Sequence, residues 1–187
     1  MTASDNCGDA VVTFDEVRTD GSCPSDYILV RTWTATDECG LTTTHTQTVT
    51  VQDTTAPTFN EALPSDVTEE CDAVTDAVTL TASDNCGNAD VTFDEIRTDG
   101  DCPSNYILTR TWTATDECGL TTTHSQTVTV QDTTAPTFNE ALPSDVTEEC
   151  DAVTDAVTLT ASDNCGDALV TFDEVRTDGD CPSNYIW

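Results

Sequence analysis

Residues 106–115 read Tyr-Ile-Leu-Thr-Arg-Thr-Trp-Thr-Ala-Thr. In an extended chain successive side chains point to opposite faces. Tyr106, Leu108, Trp112 and Ala114 then share one face with Arg110, while Ile107, Thr109, Thr111, Thr113 and Thr115 occupy the other. This two-residue period specifies a strand with one buried face. The same alternation places Val78, Leu80 and Ala82 together, then Val91 with Phe93, and Val128 with Val130. Asn-Cys-Gly, Thr-Asp-Gly, Cys-Pro-Ser and Glu-Cys-Gly supply turn chemistry between these runs. The pattern predicts strands over 66–71, 77–83, 90–98, 105–115 and 121–131. A unit of five short strands without a helical period is all-β and can close as an immunoglobulin-like β-sandwich.

The pattern recurs along the chain. Ser-Asp-Asn-Cys-Gly begins at Ser4, Ser83 and Ser162, a spacing of 79 residues. Asp-Thr-Thr-Ala-Pro-Thr-Phe, at Asp53–Phe59 and Asp132–Phe138, reads as the linker between units. Residues 54–132 therefore form one complete repeat, 1–53 the latter part of a preceding one and 133–187 the first part of a following one. Met1 stands where the copies have Leu80 and Leu159, and Trp187 where they have Leu29 and Leu108, so the natural chain is expected to extend in both directions. Five strands per repeat, an odd number, bring the chain in at one end and out at the other, as a linear array requires.

Thirty-six acidic side chains against five basic ones give a formal net charge of −31. Nucleic acid and anionic lipid would be repelled by such a surface. No apolar run reaches the ~20 residues that cross a bilayer. Met1 runs directly into Thr-Ala-Ser-Asp, so a signal for export is expected upstream. Ten cysteines point to an oxidising, extracellular or cell-surface location, where disulfides supplement a thin core. Asp94 and Glu95 are adjacent on a strand and face opposite ways, so they do not make an acid/base pair. Without a nucleophile beside a base, a phosphate-binding glycine loop or a zinc-protease helix, the chain reads as a non-enzyme.

The complete repeat holds Cys71, Cys86, Cys102 and Cys118, which allow three connectivities. If successive strands run up and down, Cys71 and Cys102 fall at one end, and Cys86 and Cys118 at the other. This predicts Cys71–Cys102 and Cys86–Cys118, with Cys7–Cys39 and Cys150–Cys181 by translation, and leaves Cys23 and Cys165 without partners. Sequential pairing, Cys71–Cys86 and Cys102–Cys118, is the alternative. Zinc wants cysteines two to four residues apart, whereas the closest here are 15 and 16 apart.

The same parity gathers Asp84, Asn85, Asp116 and Glu117 near Asp53, and repeats the arrangement with Asp132 and Asp163. Oxygen-rich clusters without lysine suit Ca²⁺, which takes six to eight oxygen ligands. The competing reading makes these residues solvated turn formers, bonded only to their own loops. His45 and His124 are one position in two copies and read as structural. Arg31 and Arg110 lie two residues before Trp33 and Trp112, placed to cover the ring or to pair with an acidic neighbour. The threonine-rich faces read first as strand formers.

The linker VQDTTAPTF, the strand TRTWTATDECG and the turn TASDNCG resemble the hyalin-type, immunoglobulin-like repeats of very large bacterial surface proteins, such as adhesins and gliding-motility proteins of Bacteroidota-type bacteria. The resemblance covers essentially the whole chain. It implies export and a role as stalk or fibril, with neighbouring repeats and further copies as partners. Its alternative is an adhesive or carbohydrate-binding module. It also implies O-linked glycans at Asp-Ser/Thr motifs, which here means Thr54 and Thr133. The linker is also loosely similar to the calcium-binding linkers of cadherins, but Thr54 and Thr55 stand where those offer further ligands.

Overall fold

The computed structural model describes residues 2–149, 151–178 and 185–186. All regular structure among them is β. The N-terminal segment forms β1 (Ala10–Asp20), β2 (Tyr27–Asp37) and β3 (Thr42–Val51), an antiparallel sheet in the order β1-β2-β3. The middle segment supplies β4 (Thr58–Phe59), β5 (Val67–Glu70), β6 (Ala82–Ser83), β7 (Ala89–Asp99), β8 (Tyr106–Asp116) and β9 (Thr121–Gln131). The C-terminal segment contributes only the short pieces β10 (Thr137–Phe138), β11 (Ala161–Ser162), β12 (Thr177–Asp178) and β13 (Tyr185–Ile186).

In the middle segment the four-stranded sheet runs β5-β9-β8-β7, and β4 pairs with β6 apart from it. Strand β5 lies parallel to β9, from Val67↔Val128 to Glu70↔Gln131. The first and fifth strands of an up-and-down order do run the same way, so the parity expected from the sequence holds here. Four of the expected strands appear within a few residues of their bounds. The fifth, over 77–83, pairs only at Ala82–Ser83; its remaining backbone works elsewhere, with the Val78 carbonyl accepting from Trp112 Nε1 at 3.0 Å.

Burial alternates along β8 as the residues require, with Leu108, Arg110, Trp112, Ala114 and Asp116 turned inward. Val128 and Val130 face the same interior from β9. Trp112 is 1% exposed, tilts against Phe93 at 5.2 Å and stacks on His124 at 6.0 Å. His124 Nε2 shares a 2.8 Å hydrogen bond with the Pro64 carbonyl, which accounts for the histidine structurally. Arg110 pairs with an acidic neighbour, Glu95, at 2.7 Å. The tight β2–β3 and β8–β9 turns place Gly40 and Gly119 in the left-handed region, at φ 81° and 86°, which side chains with a Cβ rarely adopt.

Contacts group the chain into two compact units. One comprises Met1–Ser65, Ala77–Ile96 and Thr109–Gln126, and the other Asp66–Asp76, Arg97–Leu108 and Thr127–Trp187. Each gathers segments of more than one sequence repeat, so the compact unit and the 79-residue period have different boundaries. No helix among the described residues is long and apolar enough to cross a membrane.

Candidate functional site

The chemistry of the chain concentrates where an Asp-Asn-Cys-Gly turn of one repeat meets the Cys-Pro-Ser loop of the repeat before it. Each turn is built by its own aspartate. Asp84 Oδ1 accepts from the Cys86 amide at 2.8 Å, and Asp163 Oδ1 accepts from the Cys165 amide at 2.9 Å. The loop of the preceding repeat then docks by its serine. Ser25 Oγ donates to the Cys86 carbonyl at 2.7 Å, and Ser104 Oγ to the Cys165 carbonyl at 2.6 Å. The two contacts are the same contact, one period apart.

Two disulfides form around these turns. Cys23 bonds to Cys118 with Cα atoms 5.1 Å apart, and Cys71 bonds to Cys165 with Cα atoms 5.8 Å apart. Neither is an expected pair. Cys71–Cys102 fails because β9 and β8 stand between β5 and the β7–β8 loop that carries Cys102. At ~4.8 Å per strand that separation is about 10 Å or more, beyond the ~7 Å that a disulfide spans between Cα atoms. Cys86–Cys118 does not form because Cys118 is bonded to Cys23 of the preceding repeat's loop, whose Ser25 holds the Cys86 carbonyl. Cys23 and Cys165, expected to lack partners, are both bonded. Cys7, Cys39, Cys86 and Cys102 are free and exposed, so Cys7–Cys39 does not form. Cys150–Cys181 lies outside the described residues.

Asp53, Asp84 and the Cys86 sulfur converge within 4.8 Å, and Asp132, Asp163 and the Cys165 sulfur repeat the arrangement. Asp116 acts on the same Cys86 thiol. Local desolvation first, then the charges of Asp53 and Asp84, with a smaller contribution from Asp116, raise the thiol above its usual value. Each of the three carboxylates spends one oxygen on a turn. Asp53 Oδ1 takes the Thr55 amide, Asp84 Oδ1 the Cys86 amide, and Asp116 Oδ1 the amides of Cys118 and Leu120. The second oxygens of Asp84 and Asp116 are buried without a hydrogen-bond partner, and Asp116 as a whole is only 7% exposed. Of these two orphaned oxygens, the one on Asp84 belongs to the converging Asp53–Asp84–Cys86 group, and Asp116 stands beside that group.

Asn85 stands at this group, its side-chain amide donating to the Cys86 sulfur at 2.9 Å. Glu117 does not join it, since its Oε1 accepts from Asn88 at 3.1 Å. Glu117 instead borders an open polar cleft of about 530 Å³ lined by Ser83, Gly87, Asn88, Asp90, Thr115 and Asp116. A second acidic group joins Glu70 and Asp72 with Cys71 and Cys165; parity places Asp72 at this end together with Asp99 and Asp101, but Asp99 pairs with Arg97 and Glu70 was not expected. The 79-residue period would have located it only if Cys165 had been matched to the preceding repeat.

Thr54 is exposed. Thr133 is exposed as well, but its hydroxyl donates to Glu70, whose other oxygen accepts the Thr133 amide at 3.3 Å. A glycan on Thr133 would displace that bond; one on Thr54 meets no such contact among the bonds described.

No family model matches the chain, and no curated protein matches it significantly.

Proposed function

We propose that this chain is a segment of an exported stalk or fibril, built from head-to-tail hyalin-type repeats of immunoglobulin-like sandwich form. It is a mechanical element and not an enzyme. The observation that carries this reading is the disulfide pattern. Both bonds join cysteines of successive repeats, at sequence separations of 95 and 94, longer than one 79-residue period. Each bond lies inside one compact unit that itself draws on two repeats, so the bond passes load from repeat to repeat. In the chain-entropy model a loop of this size stabilises by about 4–5 kcal/mol.

Ca²⁺ belongs to this reading as the counterion of the junction, held by Asp53, Asp84 and Asp116, with Asp132 and Asp163 as the next copy. It would neutralise carboxylates brought together where repeats meet and satisfy the two orphaned oxygens. Glycans at Thr54, and at Thr133 where the Glu70 bond gives way, would further shield an extracellular surface.

Force spectroscopy of the oxidised chain tests the function. Covalently linked repeats should release far less contour length at a given force than the same chain after reduction. Equal extensions would sink the mechanical reading. Saturable binding of a glycan in an array screen, with equal extensions, would favour the adhesive alternative.

A further inference from the structure

The open polar cleft of about 530 Å³ belongs wholly to the complete repeat. Residues 82–90, from β6 to the start of β7, and 115–117, at the end of β8, supply its lining. Both segments lie in one compact unit.

Its rim carries Asp90 and Glu117, both exposed. The Asp90 carboxylate has no hydrogen bond or ion pair among the described residues. Glu117 gives Oε1 to Asn88 and keeps Oε2 for another donor. A Cβ at Gly87 would stand 3.2 Å from that Oε2, so the glycine leaves the carboxylate its room. Asp116 is the most buried lining residue, only 7% exposed, and its Oδ2 has no partner. Water screens such a charge poorly. A ligand cannot touch that buried oxygen, but the field beneath the cleft favours a cation in it.

The spacing selects the kind of cation. Asp53, Asp84 and the Cys86 sulfur converge within 4.8 Å, whereas Asp90, Asp116 and Glu117 form no such group. Carboxylates spread around an open cleft suit a broad cation with several donors. A guanidinium offers five N–H groups in a planar fork, and the hydroxyls of Ser83 and Thr115 add acceptors. The chain does not supply this cation itself. It has no lysine; Arg18, Arg31, Arg97 and Arg110 are in ion pairs, and Arg176 is engaged as well.

The copies differ at this place in a compensating way. Asn88 and Asp90 correspond to Asp9 and Val11 in one copy and to Asp167 and Leu169 in the other. Each copy keeps one carboxylate of the pair and moves it by two residues, so the charge is retained while its position varies.

We propose that the cleft docks an arginine side chain of a basic partner protein. Asp90 and Glu117 accept from the guanidinium, and Asp116 adds its charge from below. The net charge of −31 steers such a partner toward the chain, and the cleft holds it. A docking site for a basic partner goes beyond the stalk reading and does not rest on it.

The test is an NMR titration of the full oxidised chain with N-acetyl-arginine N-methylamide. EDTA removes competing divalent ions, and sodium chloride at about 0.15 M screens exposed charges beyond about 8 Å. The expected result is saturable shifts at the amides of Asn88, Asp90, Thr115 and Glu117, with the lysine analogue binding more weakly. Asp90→Val and Glu117→Gln, both at exposed positions, should each weaken binding about tenfold, the usual worth of a charge-assisted hydrogen bond. Asn88→Asp/Asp90→Val, which reproduces the other copies, should bind more tightly than Asp90→Val alone. Shifts spread evenly over the acidic surface, equal binding of the lysine analogue, unchanged binding by the single variants, or no recovery in the double variant would overturn the proposal.

Discussion

At the residue scale the acidic side chains do more than carry charge. Glu61 Oε2 and Oε1 accept from the amide and hydroxyl of Thr81, both at 2.7 Å, and Glu140 holds Thr160 identically one period later. Glu148 holds Thr154 in the same two-bond grip. The amide first and then the hydroxyl lower Glu61 below its ordinary 4.5, while for Glu140 and Glu148 the hydroxyl contributes most. A depressed carboxylate adds stability that is present above its unfolded value and lost as pH falls through its folded value. NMR titration midpoints of Glu61, Glu140 and Glu148 should therefore lie below 4.5, and the stability these grips add should fade as pH falls through those midpoints. Thr81→Val and Thr160→Val should each raise the NMR titration midpoint of the facing glutamate toward 4.5. No shift in either variant would remove the hydroxyl from the account.

The two described tryptophans separate sequence from context at this same scale. Trp33 and Trp112 occupy one position in two copies, but only Trp112 is fully buried, with its indole nitrogen bonded to Val78. Trp112→Ala should cost about 3–5 kcal/mol in denaturant unfolding, the usual range for a buried aromatic. Trp33→Ala should cost clearly less in the monomeric chain. Equal costs would mean that Trp33 is covered as fully as Trp112.

At the element scale, β5 shows what fixes the edge of the middle sheet. Four residues of ladder are a weak strand, and three bonds just before it hold it in place. Pro64 and Ser65 carbonyls take His124 and Gln126, and Asp66 Oδ1 accepts the Thr127 amide at 2.7 Å. Asp66→Ala leaves that amide without its acceptor, an expected loss of about 1–3 kcal/mol. Hydrogen exchange should show it as faster exchange at Thr127 and along β5, with β7 unaffected; uniform acceleration would argue against a local anchor. The strands were legible in the sequence because alternation is local, as Leu108, Arg110, Trp112 and Ala114 illustrate by all turning inward. The carboxylate cluster was legible in part, since parity brought Asp84, Asn85 and Asp116 to the end where Asp53 lies, but it could not tell that Glu117 turns to Asn88. Disulfide pairing was not legible. It depends on lateral strand order, which puts β9 and β8 between Cys71 and the Cys102 loop, and on a loop from the preceding repeat. No local pattern encodes either.

At the scale of the whole molecule the dominant quantity is the charge of −31. Arginine offsets little of it. The four ion pairs described are Arg18–Asp20, Arg31–Glu16, Arg97–Asp99 and Arg110–Glu95, and only the last has a deeply buried guanidinium. The remaining carboxylates repel one another, which opposes the compact state, and salt screens that repulsion over about 10 Å at 0.1 M. Sodium chloride should therefore raise the melting temperature smoothly. Calcium chloride at matched ionic strength separates screening from a site. If Asp53, Asp84 and Asp116 hold the ion, Ca²⁺ should raise the melting temperature beyond the sodium curve and saturate, as ligand binding to the native state requires. Asp116→Asn keeps an oxygen for the turn amides but removes the charge behind the orphaned Oδ2, so it should abolish the extra rise while leaving the sodium response intact. Coincident sodium and calcium curves in the unaltered chain would reduce the cluster to turn chemistry, with repeats joined by disulfides alone.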